Sequence, residues 1–236
     1  GSPAEGNTLS ASLSDLSDPD GSTSTSFQWQ LLDSNGSWNN IPAATQSSFS
    51  IPDDQSLVSS SIRVQATSTD SRGGQTLFFS DPLLVLNTND SPSHNISIDG
   101  QTIEGSSLSL DLSSLLDQDG IPSSGPQAPS IQWLRNNNPI QGATNNSYTL
   151  TQQDVDSLIS AQISYVDSHN SQEIISVSTS SNVQNLDNPA SANLNIAGSP
   201  AEGNTLSASL SDLSDPDGST STSFQWQLLD SNGSWN

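Results

Sequence analysis

Cysteine and methionine are absent from this chain, and its only basic residues besides two histidines are Arg63, Arg72 and Arg135. Without cysteine there is no disulfide framework, no thiolate nucleophile and no cysteine zinc site. Without lysine a Lys–Asn isopeptide crosslink cannot form, and without cysteine a Cys–Gln thioester cannot. Stiffness must come from packing, from metal or from a rarer bond such as a Thr–Gln ester. The 25 acidic residues leave a formal net charge of −22, which argues against a nucleic-acid partner, because phosphate binding needs a basic surface. No apolar run approaches the roughly 20 residues that span a bilayer, so no membrane insertion is expected. Hydrophobic residues make up 30% and charged residues 12%, a balance that points to thin cores under a neutral polar skin rather than to a highly charged disordered chain.

Catalytic groups are also scarce. His94 and His169 stand alone, and no Gly-x-Ser-x-Gly elbow, His-Glu-x-x-His run or phosphate loop occurs. The pair Asp53 and Asp54 has the residue types of a glycosidase, but adjacent acids more often simply face water. The expectation is that the chain is not an enzyme.

What the sequence does contain is itself, twice. Residues 1–39 and 198–236 are identical, so residue 198 restarts residue 1 with a period of 197. That length suits two sandwich domains of ordinary size rather than a solenoid repeat. A weaker likeness divides the period: Phe27-Gln28-Trp29 matches Ile131-Gln132-Trp133, and the run from Ile41 to Ile51 matches the run from Ile140 to Leu150. The expected domains are 1–89, with its opening strand missing, 90–187, and a partial copy of the first at 188–236. The boundaries fall on short polar segments with proline, at 87–92 and 185–189. Neither end reads as a natural terminus, and the sequence is expected to be an excerpt of a repeating polymer whose export signal lies outside it.

Period-2 alternation dominates locally, as in Ser61–Thr67 and Ala161–Val166, and predicts half-buried strands with Ile62, Val64, Ile163 and Tyr165 inward. Asp-Gly, Asn-Gly and Gly-Gly punctuate the intervals as turns. The predicted fold is all-β: tandem Greek-key β-sandwiches of the immunoglobulin-like or cadherin-like kind, end to end. Trp29, Trp133 and Trp226 could serve as sugar-stacking platforms, but their place within alternating strands predicts core positions. Trp38 and Trp235, beside Asn-Gly turns, are expected to pack over a sandwich edge.

Several loose motifs recur in order: Pro-x-Glu-Gly, Asp-x-Asp-Gly, (Phe/Ile)-Gln-Trp, Ala-Thr-x-x-Ser-(Phe/Tyr) and a closing Asn-x-Asn-Asp. Together they resemble the immunoglobulin-like and cadherin-like extender repeats of giant bacterial surface adhesins, many exported by type I secretion. The second domain departs from the pattern, since Ile103-Glu104-Gly105 lacks the proline and residues 120–129 are a longer insertion.

Two sets of residues could bind calcium, which takes several hard oxygens brought together by a tight turn. The first is the acidic loops: Asp15, Asp18 and Asp20 in the first domain, Asp111, Asp117 and Asp119 in the second, and Asp215 and Asp217 in the partial copy. They are not EF-hands, because Leu16 and Phe27 stand where ligands of such a loop are needed. The competing reading is that Asp-Gly only forms a solvated turn. The second set resembles the cadherin arrangement of linker residues with an early-strand glutamate: Asn87, Asn89 and Asp90 with Glu104 and Asp167, repeated by Asn185, Asp187 and Glu202, with Glu5 heading the first copy. Its competitor is a polar linker whose Asn and Asp residues merely end strands.

These readings imply a secreted or cell-surface spacer, part of a stalk or fibre that extends an adhesive tip. Its partners would be adjacent repeats of the same polymer, with head-to-tail self-association open to a fragment. The alternative is that the repeats themselves bind glycan or partner cells.

Overall fold

The computed structural model describes residues 1–19, 21–218 and 221–236. It is an all-β sandwich fold built from antiparallel sheets. The strands are β1 (Thr8–Ser10), β2 (Ser22–Leu32), β3 (Trp38–Asn40), β4 (Ser48–Ser50), β5 (Ser61–Asp70), β6 (Gln75–Phe79), β7 (Leu83–Leu84), β8 (Ile98–Asp99), β9 (Ser107–Leu110), β10 (Ser130–Arg135), β11 (Asn138–Pro139), β12 (Ser147–Thr149), β13 (Ile159–Val166), β14 (Gln172–Ser178), β15 (Ser191–Ala197) and β16 (Ser207–Ser214).

In the first part of the chain β1 pairs with β4, and a larger sheet runs β3-β2-β5-β6 with β7 also on β5. Leu9, Trp29, Ile51, Ile62 and Val85 fill the space between them. Alternation explains β5: Ile62, Ala66 and Ser68 are buried and Val64 is partly buried, while the intervening residues stay more open. On the outer face Arg63 lies 4.3 Å from the ring centres of both Trp38 and Phe79, so Trp38 packs on the sheet through a cation.

In the second part β9 pairs with β8 and β12, and a second sheet runs β11-β10-β13-β14. Trp133, Leu108, Leu150, Ile159 and Ile163 are among its buried apolar residues, and Tyr165 is also buried. A single 3-10 turn, Gln152–Asp154, follows β12.

The recurring motifs have a direct structural cause. Gln28 Nε2 donates to the carbonyls of Trp29 and Ile41, both at 2.9 Å, and Gln132 Nε2 does the same to Trp133 and Ile140, both at 2.8 Å. The glutamine thus staples the turn that follows its strand. The neighbouring tryptophan donates its indole N–H to a carbonyl, Gln46 or Asn145, and stacks on the aromatic residue of the Ser-(Phe/Tyr) motif, Trp29 on Phe49 and Trp133 on Tyr148.

The partial copy corrects one expectation. Trp226 is 49% exposed where Trp29 is 3% exposed, and Phe224–Leu228 form no strand although Phe27–Leu32 lie in β2. The cover over Trp29 comes from residues 49–85, whereas the second copy in this sequence comprises 198–236 only. The hairpin β15–β16 is well paired, but every residue of β15 is exposed.

Tertiary contacts divide the chain into two compact units. One is formed by 1–95, 114–129 and 164–174, the other by 96–113, 130–163 and 175–236. Each of the two candidate centres below lies wholly within one unit.

Candidate metal centre

The first centre, in the first unit, starts from a strand end. The backbones of Ala4 and Leu86 form a parallel bridge, with Glu5 N–H donating to the Leu86 carbonyl. This sets Glu5, 3% exposed, beside Asn87 at the end of the same repeat. Gln55, from the loop after β4, then projects its amide nitrogen between three oxygens: Glu5 Oε2 at 3.3 Å, Asn87 Oδ1 at 2.9 Å and Asp119 Oδ1 at 2.8 Å. Asp119, 1% exposed, accepts the Asp90 backbone N–H on its other oxygen at 2.7 Å. Its own N–H donates to Asp117 Oδ1 at 2.9 Å, and the Tyr165 hydroxyl holds Asp117 Oδ2 at 2.5 Å.

The surrounding residues add more acid. Asn89 donates to Glu173 Oε1, and Asp167, 1% exposed, receives the backbone N–H groups of His169 and Ser171 on one oxygen. Three buried carboxylate oxygens, Glu5 Oε1, Asp90 Oδ2 and Asp167 Oδ2, have no hydrogen-bond partner. Such atoms carry a desolvation cost that a cation would offset. The Glu5 carboxyl is pushed above the usual range, first by burial and then by the charges of Asp90 and Asp119, with a hydrogen bond from the Thr88 backbone pulling the other way. Burial and the bond to Asp117 drive the Tyr165 hydroxyl strongly upward, so it stays a donor.

The second centre, in the second unit, repeats the design. The Ile103–Gln184 bridge is parallel, like that of Ala4 and Leu86, and sets Glu104 beside the 185–188 segment. Glu104 Oε1 accepts from Asn188 Nδ2 at 2.9 Å. Asn188 N–H donates to Asp217 Oδ2, and Asp217 N–H to Asp215 Oδ1, as Asp90, Asp119 and Asp117 do in the first centre. Here the central amide is Gln152. One terminal atom of its amide lies 2.8 and 3.1 Å from the two Glu104 oxygens and 3.0 Å from Asp217 Oδ1, and the other lies 3.2 Å from Asn185 Oδ1. With nitrogen facing the carboxylates the amide bridges them. The nitrogen takes this place, as the Gln55 nitrogen does between Glu5 and Asp119 in the first centre.

Among the described residues no group of three or more Asp, Glu or His side chains is gathered as a ready-made ion site. The convergence depends on amide oxygens as well as carboxylates. The oxygens that converge are hard ligands of the kind calcium takes, and in the first centre the Gln55 amide nitrogen stands among them.

The residues expected from sequence distribute unevenly. Glu5, Asn87, Asp90, Asp117 and Asp119 meet in the first centre, with Asn89 and Asp167 on its border, and Glu104, Asp215 and Asp217 meet in the second. The grouping differs by one repeat: Glu5, not Glu104, faces Asn87, and Glu104, not Glu202, faces Asn185, because the parallel bridge returns each repeat to its own beginning. Asp111 binds the N–H and hydroxyl of Ser113 and is exposed, a turn former. Asp15 is exposed with φ 56°, and Asp187 and Glu202 are exposed. Asp18 accepts the Gly21 N–H on its carbonyl, and Asp20 lies outside the described residues. Sequence reasoning missed Gln55, Gln152, Glu173 and Asn188. Of these, Asn188 was detectable, since it stands where Asp90 stands in the preceding repeat.

No protein-family model matches the chain, and no curated protein matches it either.

Proposed function

We propose that this chain is a load-bearing segment of an extracellular repeat protein, a spacer or fibre element whose repeats are each fastened by calcium where their two ends meet. The observation that carries this reading is recurrence: an early glutamate whose backbone N–H bonds the closing segment of its own repeat, and a linker N–H bonded to the second aspartate of an Asp-x-Asp-Gly turn, occur in two repeats of different sequence. Catalytic sites are rarely duplicated in this way, whereas joints of a polymer must be.

Glu5, Asn87, Asp90 and Asp119 would hold the ion in one centre and Glu104, Asn185 and Asp217 in the other. When bound it supplies positive charge between carboxylates that otherwise repel. The residues themselves do the mechanical work: Glu5 and Asn87 tie the start of a repeat to its end, and Asp119 anchors the linker N–H of Asp90. A net charge of −22 without lysine suits a surface polymer that must stay extended and separate from its neighbours.

Single-molecule pulling of the 236-residue chain tests the reading. Higher unfolding force in calcium than in chelator, together with no saturable hit on a glycan array, is expected. Equal forces in both solutions, or saturable glycan binding, would reject the spacer in favour of a recognition module.

A further inference from the structure

One residue type stands at the same point of both centres although the loops that carry it differ. Ile51 and Leu150 are matching core residues, each 2% exposed, and a glutamine follows four positions later in the first repeat, as Gln55, and two positions later in the middle repeat, as Gln152. Both side chains reach the oxygens gathered there. The Gln55 nitrogen lies 2.8 Å from Asp119 Oδ1, 2.9 Å from Asn87 Oδ1 and 3.3 Å from Glu5 Oε2. The Gln152 nitrogen lies 2.8 and 3.1 Å from the two Glu104 oxygens and 3.0 Å from Asp217 Oδ1. An amide NH2 has two hydrogens and meets three oxygens at each centre, so it serves them incompletely. At the first centre the other Glu5 oxygen, on a residue 3% exposed, has no hydrogen-bond partner. Both glutamines are only partly buried and so have a way out to solvent.

We propose, resting on the calcium reading above, that Gln55 and Gln152 are built-in competitors of the cation: each amide nitrogen holds the ion's place when no ion is bound and is displaced when calcium binds. In the ion-free chain the partial positive charge of the N–H groups lessens repulsion among the carboxylates and keeps the start and end of a repeat together. A divalent cation carries more charge and accepts more oxygens, including those that two hydrogens leave unserved. It takes the place only by the difference between the two sets of contacts, because the amide bonds lost on displacement are subtracted from its binding free energy. The glutamine thereby weakens calcium binding while it strengthens the ion-free fold. Other bonds hold the loops that carry it. The turn of Gln152 is fixed by the Thr151 N–H and hydroxyl on Asp154 Oδ2, both at 2.8 Å, and Leu57, two residues after Gln55, packs on the core.

Methionine keeps the length of glutamine and removes the amide, so Gln55→Met, Gln152→Met and the double variant test the proposal on the 236-residue chain. In calcium titration calorimetry each single variant is expected to tighten one of the two sites about tenfold, and the double variant both. In chelator the melting temperature of each variant should fall below that of wild type. In saturating calcium the curves should coincide, since the bound state does not use the amide. Calcium affinity that is unchanged or weaker in the variants would overturn the proposal and leave the calcium reading standing, because the amide would then be a bystander or, through its oxygen, a ligand. Absence of calcium heat from wild type and variants alike would overturn both. Gln152→Met carries the test by itself should Gln55→Met fail to fold, because the bonds between Thr151 and Asp154 hold its turn.

Discussion

The backbone N–H of Asp90 donates to Asp119 Oδ2 at 2.7 Å, joining the end of one repeat to the acidic turn of the next stretch of chain. Asn188 and Asp217 form the same bond. The side-chain oxygens left over at the first of these junctions govern its electrostatics.

Glu5 is the residue most sensitive to that arrangement. Its carboxyl pKa is raised in the folded state, so its contribution to stability is present below the unfolded-state value and is lost as pH rises through the folded value. In chelator, Glu5→Gln should therefore stabilise the chain at pH 7, by about 1 kcal/mol, and the difference from wild type should fade on acidification. In calcium the sign should reverse, because the variant loses a ligand. Urea unfolding at several pH values, with and without calcium, measures both.

Asp154 behaves in the opposite sense. It is fully buried; burial opposes its ionisation, but bonds from Thr151, Tyr148 and Arg135, at 2.7–2.8 Å, outweigh that and hold its pKa below the usual carboxylate value. Its stabilisation is present above the unfolded-state pKa and is lost as pH falls through the folded one. Asp154→Asn should cost about 3 kcal/mol at neutral pH, with a gap that narrows below about pH 4. Denaturant midpoints over that range check it.

Backbone strain yields a third prediction. Ala43 has φ 61° in the turn where the matching residue of the middle repeat is Gly142, φ 75°. A left-handed L-residue is strained, while glycine loses more entropy on folding, so Ala43→Gly should stabilise by about 0.5 kcal/mol and Gly142→Ala should destabilise by about 1 kcal/mol. Nothing lies within 4 Å of a Cβ built at Gly142, so the cost there is conformational and not steric. Thermal unfolding of the two variants measures both changes.

Sequence alone made the strands legible wherever a side chain and its partner obey one local rule. Alternation placed Ile62 and Ile163 inside, and the paired Gln-Trp motifs marked the two core strands. It misplaced Trp226 because burial depends on which strands cover a residue, and Phe224–Leu228 without a partner sheet do not form the strand that Phe27–Leu32 do. The acidic turns were visible as residue types, but their partners were not: Gln55 meets Asp119 across 64 residues, and Glu173 meets Asn89 across 84, with no spacing to announce either. The one-repeat shift of Glu5 and Glu104 follows from parallel bridges of a single residue pair, too short to leave a pattern.

Calcium titration calorimetry on the 236-residue chain, paired with melting curves in calcium and in chelator at low ionic strength, tests the central claim most directly. Saturable binding is expected, with an ion at each centre, a melting temperature raised by calcium and far less affected by magnesium, which prefers a smaller octahedral shell. Absence of binding heat together with coincident melting curves would contradict it and leave Glu5, Asp119, Glu104 and Asp217 as residues that only shape turns.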